Sequence, residues 1–167
     1  TSELGIELFV LPNITLKNKK ISSSQIKKII SNGNIENIEE NLGRKFTLTG
    51  KVIRGKQRGK KLGYPTANLD IPTNQCIPKD GIYYTKSLID SYEKISVTSI
   101  GENPTFESGN IPKMIETYIL DFNENIYHKN ITIKFLSFLR PQIKYQSIPS
   151  LIEQMKIDVS NVKNQIN

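Results

Sequence analysis

The sequence predicts a mainly β fold: a small closed, Greek-key-like antiparallel β-barrel with a C-terminal helix, preceded by a short helical segment. Three observations carry this expectation. From Phe46 onward, apolar residues recur at every second position in one short segment after another, the period of a strand with one buried face. No helix-period pattern lies between these segments, so the strands pair without crossover helices and a parallel α/β sheet is excluded. A chain of 167 residues makes about one ordinary domain, and at that size short strands avoid exposed edges by closing on themselves.

Residues 1–45 read differently from the rest. Residues 6–11 suit one strand. Ser22, Ser23 and Ser24 then offer hydroxyl caps to the free amides of a first helical turn. Ile26, Ile29 and Ile30 follow at helical spacing, and Gly33 ends the run. Asn34 is placed to cap a second short helix with Ile35, Ile38 and Leu42 as its apolar stripe and Gly43 as its stop. Helices this short are marginal alone and must dock on something else. Beyond them, Phe46, Leu48, Gly50 and Val52 alternate with Thr47, Thr49 and Lys51 as a half-buried strand. Further strands are expected at 81–89, entered through the turn Pro78-Lys79-Asp80-Gly81, and at 94–100, 114–122 and 130–138. Ser150 and Glu153 form a capping box for a last helix that carries Leu151, Met155 and Val162 on one face.

Composition removes several function classes. There is one cysteine, Cys76, and one histidine, His128, which excludes a disulfide scaffold within the chain and argues against a Cys/His zinc site. Any Ser-His-Asp or Cys-His chemistry would rest on His128 alone. That residue has no acidic or thiol neighbour in sequence and reads as a loop position after Tyr127. Cys76 reads as an inert thiol before a turn, suited to a reducing cytosol. No apolar run approaches the roughly 18 residues that span a bilayer, and residues 5–11 are too short, with Glu7 among them, for a signal peptide. A cytoplasmic location without a membrane partner is expected. Lys and Arg number 23 against 16 Asp and Glu, a formal net charge of +7. The excess of Lys, Asn and Ile reads as the codon bias of an AT-rich genome, so the charge does not by itself name nucleic acid as a partner, and none is expected. The chain opens at Thr1, and the expectation is that it begins inside a longer protein.

The most informative stretch is Gly50-Lys51-Val52-Ile53-Arg54-Gly55-Lys56-Gln57-Arg58-Gly59-Lys60-Lys61-Leu62-Gly63-Tyr64-Pro65-Thr66-Ala67-Asn68. It leaves a strand and enters a loop with Gly55, Gly59 and Gly63 four apart and cations between them. Glycines let a backbone approach phosphate oxygens and aim N–H groups at them, while Lys and Arg neutralise the charge. The stretch is neither a Walker A loop, since GK[ST] is absent, nor a dinucleotide fingerprint, since no helix is expected to follow it. On spacing alone it is equally a flexible basic hairpin loop. Thr66 and Asn68 lie two apart, so in extended backbone both face the same way. A hydroxyl and an amide carbonyl are hard oxygen donors of the kind magnesium accepts beside phosphates and waters; alternatively, Asn68 caps a turn.

These residues resemble the signature of the riboflavin kinase family, and the likeness continues in order. Gly81-Ile82-Tyr83-Tyr84 is similar to the strand after the family's loop. Ile100-Gly101-Glu102-Asn103-Pro104-Thr105-Phe106 is similar to its IG-x-(N/R)-PTF segment. Ile115-Glu116-Thr117-Tyr118-Ile119-Leu120-Asp121-Phe122 is similar to its E-x-(H/Y)-x-x-D-F strand. Ile126-Tyr127, Phe138-Leu139-Arg140-Pro141 and Lys144-Tyr145 follow. The resemblance covers about 46–162; the ordered set is specific, although no single piece is. A second resemblance lies upstream. Ile21-Ser22-Ser23-Ser24-Gln25-Ile26-Lys27 is similar to the ISST-x-IR motif that closes the adenylyltransferase domain of bacterial bifunctional flavin synthetases, with Ser24 in place of Thr and Lys27 in place of Arg. Asn41-Leu42-Gly43-Arg44 is similar to their interdomain linker. An HxGH-type nucleotide motif is absent, His128 being the lone histidine. The implied organisation is a remnant of the adenylyltransferase domain and its linker over 1–45 and a kinase barrel over 46–167, without adenylyltransferase activity in this chain alone.

The resemblance implies γ-phosphoryl transfer from ATP to the terminal ribityl hydroxyl of riboflavin, giving FMN and ADP. It assigns Gly55, Arg58, Gly59, Lys60, Lys61 and Pro65 to ATP, with Lys60 and Lys61 interchangeable by one register step, and Thr66 and Asn68 to magnesium. It makes Glu116 the base. On the sequence, Glu116 shares a strand face with Met114, Tyr118 and Leu120, where burial among apolar neighbours would raise its pKa toward a useful value; a solvated strand-end carboxylate or a structural ion pair fits the spacing equally. Arg140, read as lying just past the last strand, offers a planar fork for a flavin carbonyl or phosphate or is a surface residue before Pro141. Asn103 and Phe106 are expected to line the flavin pocket, although Phe106 also suits plain core packing. Two other classes stay open: a non-catalytic flavin- or nucleotide-binding barrel, and a basic barrel that binds nucleic acid.

Overall fold

A computed structural model of the chain describes residues 5, 7, 9, 15, 16, 19–102 and 113–165. Strands β1 (Thr15–Leu16) and β2 (Lys19–Lys20) form a minimal antiparallel pair, followed by helices α1 (Ser23–Ser31) and α2 (Ile38–Leu42). The body consists of β3 (Thr47–Ile53), a single helical turn α3 (Arg58–Lys61), β4 (Thr66–Asp70), β5 (Gly81–Ile89), β6 (Tyr92–Glu102), β7 (Lys113–Ile119) and β8 (Asn130–Arg140). Helix α4 (Ile148–Asn164) ends it. Every pairing is antiparallel, and the order β3-β4-β7-β6-β5-β8 closes into a barrel. Consecutive strands β4 and β5 are not neighbours, nor are β7 and β8, which is the Greek-key crossing pattern.

Several elements differ from the sequence expectation. A sixth strand, β4, runs through Thr66 and Asn68, so Asn68 is a ladder residue and not a turn cap. Helix α2 starts at Ile38 behind Asn37, whose side chain makes no cap bond. The residues before it are used in a turn, with Gly33 at φ +80° and Ile35 N bonded to Gly33 O, and so Asn34 caps nothing. Helix α4 begins earlier than the capping box implied: Ser147 is the N-cap and its Oγ accepts from Ser150 N at 3.3 Å. Strand β7 stops at Ile119, leaving Leu120 and Phe122 beyond it, and β8 runs on to Arg140. The basic stretch after β3 contains a helical turn rather than only loop. The strand expected at 6–11 falls largely outside the described residues.

Leu48, Val52, Leu69, Ile100, Ile115 and Ile133 are among the inward residues of the barrel core. Five inward positions of β5, β6 and β7 carry hydroxyls instead: Thr85, Ser87, Ser96, Thr98 and Thr117, all fully buried. They satisfy one another. Ser87 Oγ donates to Ser96 Oγ at 2.9 Å, Thr85 bonds Ser96 Oγ at 2.7 Å and Thr98 Oγ1 at 2.8 Å, and Thr98 bonds Thr117 at 2.9 Å. Burial of these polar atoms is tolerable because each has a partner.

One end of the barrel is plugged by the helical segment. Ile30, Ile35 and Ile38 lie in the same apolar cluster as Phe46, Tyr83 and Phe135, and Glu36 Oε1 accepts from the Phe138 backbone N at 2.7 Å. The docking surface that α1 and α2 require is therefore the barrel itself. Outside the barrel, α4 packs on β6 and is pinned to β8 by a bidentate pair. Arg140 Nε and Nη2 donate to the two oxygens of Asp158 at 2.8 and 2.6 Å, and Asp158 is only 4% exposed.

Two outcomes follow from these contacts. Ile35→Ala should lower unfolding free energy by roughly 2–5 kcal/mol, the usual cost of a large-to-small change in a filled core, when read by urea titration; a loss under 0.5 kcal/mol would mean that the segment does not share the barrel core. Arg140→Ala should cost about 3–5 kcal/mol because it leaves the Asp158 carboxylate buried and unpaired, whereas Arg140→Met combined with Asp158→Leu should recover most of that loss. An unchanged melting temperature in Arg140→Ala would reduce the pair to a surface contact.

Candidate active site

Strand register assembles the site. Asn68 on β4 stands directly opposite Glu116 on β7, and Thr66 stands opposite Tyr118. Directly opposed residues share a face, so Thr66, Asn68, Glu116 and Tyr118 project together from the outer wall. The inward neighbours Ile115, Thr117 and Ile119 are buried, while Glu116 is half-buried. Thr66 Oγ1 donates to Glu116 Oε2 at 3.4 Å. Burial pushes the Glu116 carboxyl above its ordinary value of 4.5, while the Thr66 hydrogen bond and the charge of Arg58 pull it back down. Tyr64 meets Tyr118 edge-on, with ring centroids 5.2 Å apart, and walls the site with two aromatic faces. Neither tyrosine was singled out as a site residue from the sequence. Tyr64 becomes one because it lies two residues before Thr66, at the approach to the short strand β4, and Tyr118 because β7 alternation puts it on the same face as Glu116.

The glycine loop closes over this face. A Cβ on Gly55 would overlap the Asn68 amide, and a Cβ on Gly59 would overlap the Tyr64 carbonyl oxygen and lie 3.4 Å from Thr66 Oγ1. Both positions therefore need glycine for close approach rather than for an unusual torsion. Gln57, at φ 53°, turns the chain into α3, and Gly59 O accepts from Leu62 N at 3.0 Å and Tyr64 N at 2.9 Å. The side chains of Lys56, Arg58, Lys60 and Lys61 are exposed, and none takes part in an ion pair among the described residues. Pro65 is an exposed residue at the entry to β4.

The donor set fits a hard divalent cation. The Thr66 hydroxyl and Asn68 amide lie on one face beside the Glu116 carboxyl, and the loop backbone approaches within a glycine's width of both. No group of three His, Cys, Asp or Glu side chains that could hold a metal occurs among the described residues. A cation that keeps waters and takes phosphate oxygens needs only one or two protein ligands.

The remaining expected residues lie elsewhere. Arg140 is on the same cross-strand row as Glu116, linked through Ser99 on β6 and Ile82 on β5. Three strand spacings separate them, roughly 14 Å along the sheet. Its Nε and Nη2 are engaged by Asp158, and Nη1 donates to Pro141 O at 3.0 Å. Asn103 and Phe106 lie outside the described residues. His128 is a loop residue at φ 68° whose backbone N donates to Val52 O, and Cys76 is half-buried against the core.

Known proteins resemble this chain in sequence and fold. The family model described as Flavokinase: Riboflavin kinase matches residues 42–166. A bifunctional riboflavin kinase/FMN adenylyltransferase of Listeria monocytogenes is 35% identical over 94% of this chain and 50% of its own length. The Bacillus subtilis protein of that description is 33% identical over 89% of the chain and 48% of its own. The chain thus spans about half the length of these curated relatives. Among solved structures, one from Streptococcus pneumoniae, described as a macrolide-efflux protein, superposes with a TM-score of 0.83 at 32% identity, covering 92% of this chain and 50% of that one. Among the described residues of the present chain, no helix is long and apolar enough to cross a membrane. A riboflavin kinase structure from Trypanosoma brucei shares the fold, with a TM-score of 0.53 at 24% identity over 72% of this chain and 76% of that one. With its six-stranded Greek-key barrel, its glycine loop seated on Thr66 and Asn68, and the family match over 42–166, the chain belongs to the riboflavin kinase family.

Proposed function

We propose that this chain phosphorylates riboflavin to FMN, transferring the γ-phosphoryl group of ATP to the terminal ribityl hydroxyl, and that it works in the cytoplasm. The observation that carries this reading is the juxtaposition of Glu116, Thr66 and Asn68 under a glycine loop with unpaired cations. Phosphoryl transfer asks a protein for a phosphate cradle, a metal anchor and an aligned acceptor, and these parts meet on one face of the barrel. The backbone at Gly55 and Gly59 comes close to the phosphates, and Arg58, Lys60 and Lys61 offset their charge. Thr66 and Asn68 would hold magnesium, which when bound neutralises charge on the transferred group. Glu116 accepts the proton of the acceptor hydroxyl as its oxygen attacks phosphorus. The partly buried site raises the proton affinity of that carboxylate, which suits a base.

The flavin ring is assigned to the β6 side of Glu116, toward Arg140, and Asn103 and Phe106 are assigned to its pocket from the family resemblance. The roughly 14 Å of sheet between Glu116 and Arg140 is of the order that a ribityl chain and a fused ring system bridge. Residues 1–45 are read as the end of a preceding adenylyltransferase domain. Nucleic acid has no part in this reading, since the loop cations are assigned to ATP.

Glu116→Gln keeps the volume but cannot take a proton, so turnover should fall by about 10²- to 10⁴-fold while ATP and riboflavin still bind. Stability should move the other way. A raised carboxyl pKa means that the folded state binds more protons than the unfolded state between the two pKa values, so stability declines as pH rises through that interval from 4.5 upward. Glu116→Gln should therefore melt at or above the wild-type temperature at pH 7, and the difference should vanish as pH falls below 4.5. A folded variant with turnover within about threefold of wild type would remove the base from β7. Asn68→Ala should weaken magnesium–ATP use on the order of tenfold, with riboflavin affinity retained. Thr66→Val should do the same and also lower kcat, because it alone removes the donor to Glu116. Wild-type activity of both variants at limiting magnesium would make them strand formers only.

A further inference from the structure

The helical segment meets the barrel at the end of β8, and β8 is irregular there. Its register against β5 shifts twice, leaving Leu136 and Leu139 as extra residues on either side of Ser137 and Phe138. Such bulges bend a strand and re-aim the groups that follow. Pairing with β3 ends at Lys134, opposite Thr47, and Phe46 O then accepts from Phe135 N at 2.9 Å. Amides alternate between the two edges of a regular strand, so that of Phe138, three residues on, would face away from this edge. The extra Leu136 turns it back, and Glu36 Oε1 accepts it at 2.7 Å. A charged acceptor at that distance makes a strong hydrogen bond. The turn that carries Glu36 is itself anchored: Ile35 and Ile38 are fully buried, and a Cβ on Gly33, at φ +80°, would lie 3.4 Å from Lys79 Cβ. The Phe138 ring is held by Tyr83, edge-on with centroids 5.3 Å apart, and by the Lys79 ammonium 5.9 Å from its centroid.

Within four residues of Phe138 the chain is back beside the candidate site. Arg140 is paired with Asp158 of α4. Gln142 Nε2 donates to Ser99 Oγ at 2.9 Å and to Ile100 O at 3.1 Å, both on β6, and Ser99 stands directly across the ladder from Glu116. The stretch 138–142 thus borders the side of Glu116 to which the kinase reading assigns the flavin. Resting on that reading, we propose that Glu36, on the turn between α1 and α2, is a positioning residue for riboflavin: by holding the Phe138 amide it fixes the bulged end of β8, and so sets where Arg140 and Gln142 stand beside the ring. It acts through the β8 backbone and touches no substrate itself. The glycine loop leaves β3 beyond Ile53, the end of that strand away from Phe46, so the latch serves the flavin end of the site and not the phosphate end. A helical segment that reads as the tail of another domain is, at this one carboxylate, a working part of the kinase.

The test compares the full chain with Glu36→Ala and Glu36→Gln by hydrogen exchange at the Phe138 amide, by riboflavin affinity from fluorescence quenching, and by steady-state kinetics. In Glu36→Ala the Phe138 amide should exchange about tenfold faster, and Kd and KM for riboflavin should rise roughly three- to tenfold, the scale of one hydrogen bond. Both kcat and KM for magnesium–ATP should stay within about twofold. Glu36→Gln keeps an oxygen that accepts the amide and should recover most of the loss. Unchanged exchange at Phe138 overturns the latch. Faster exchange with unchanged riboflavin affinity overturns its role in the site, and so does a rise in both KM values together, which marks a general loosening of the barrel. Should Glu36→Ala not fold, Glu36→Asp, with its carboxylate drawn back by one methylene, decides by the same readings. A wild-type chain that phosphorylates no riboflavin defeats the kinase reading alone if Glu36→Ala still weakens riboflavin binding; equal affinities in the two chains defeat the latch.

Discussion

The antiparallel register between β4 and β7 is the constraint from which the rest of the site follows. It puts Asn68 across from Glu116 and Thr66 across from Tyr118. Side chains alternate between the two faces of a strand, so a slip of one residue would turn Asn68 and Thr66 into the barrel core and bring Leu69 out to solvent. Leu69 is 7% exposed, and its burial opposes that slip. Closure of the barrel opposes it as well, since β4 is also registered against β3 through Ile53, the residue that begins the run into the glycine loop. One set of ladder bonds therefore sets the glycine loop, the oxygen donors and the carboxylate relative to one another.

Much of this was legible in the sequence, and the reasons are local. Period-two alternation placed five of the six barrel strands, and the spacing of Thr66 and Asn68 placed both on one face before any pairing was known. Strand β4 escaped as a strand because its five residues lack a clear alternation and follow a proline. The pairing of Arg140 with Asp158 could not be read at all, because its partner lies on a helix 18 residues further on and nothing in the local pattern distinguishes Asp158 from a solvated helix residue. The start of α4 was misplaced for a related reason: Ser147 and Ser150 both have capping chemistry, and the nearby Glu153 favoured the wrong one. That the helices of the first 45 residues must dock elsewhere was clear from their length, but that they dock on the barrel end was not. The family match begins at 42, whereas the apolar cluster of the barrel reaches back to Ile30.

Polar burial separates a structural carboxylate from the candidate base. Asp158 is almost fully buried, yet both of its oxygens accept from Arg140 and one also accepts from Gln154 at 3.1 Å. Such a group holds an element in place and has little capacity left for chemistry. Glu116 is buried less and matched less: one long hydrogen bond and one exposed guanidinium face a desolvation that favours its neutral form. A site that breaks the rule followed by the rest of the fold is where function is expected.

The hydroxyl belt inside the barrel has an evolutionary consequence. Thr85, Ser87, Ser96, Thr98 and Thr117 form a connected set on three adjacent strands, and each hydroxyl has a single proton to give. Replacing one member with an apolar residue strands its neighbour's donor or acceptor in a dry interior, while replacing a whole linked set with well-packed apolar groups can be close to neutral. Drift at these positions is therefore coupled. Lineages of this barrel should hold either the full belt or a fully apolar interior, with intermediates short-lived, so covariation among these five columns would mark the β5–β6–β7 ladder as surely as any conserved motif.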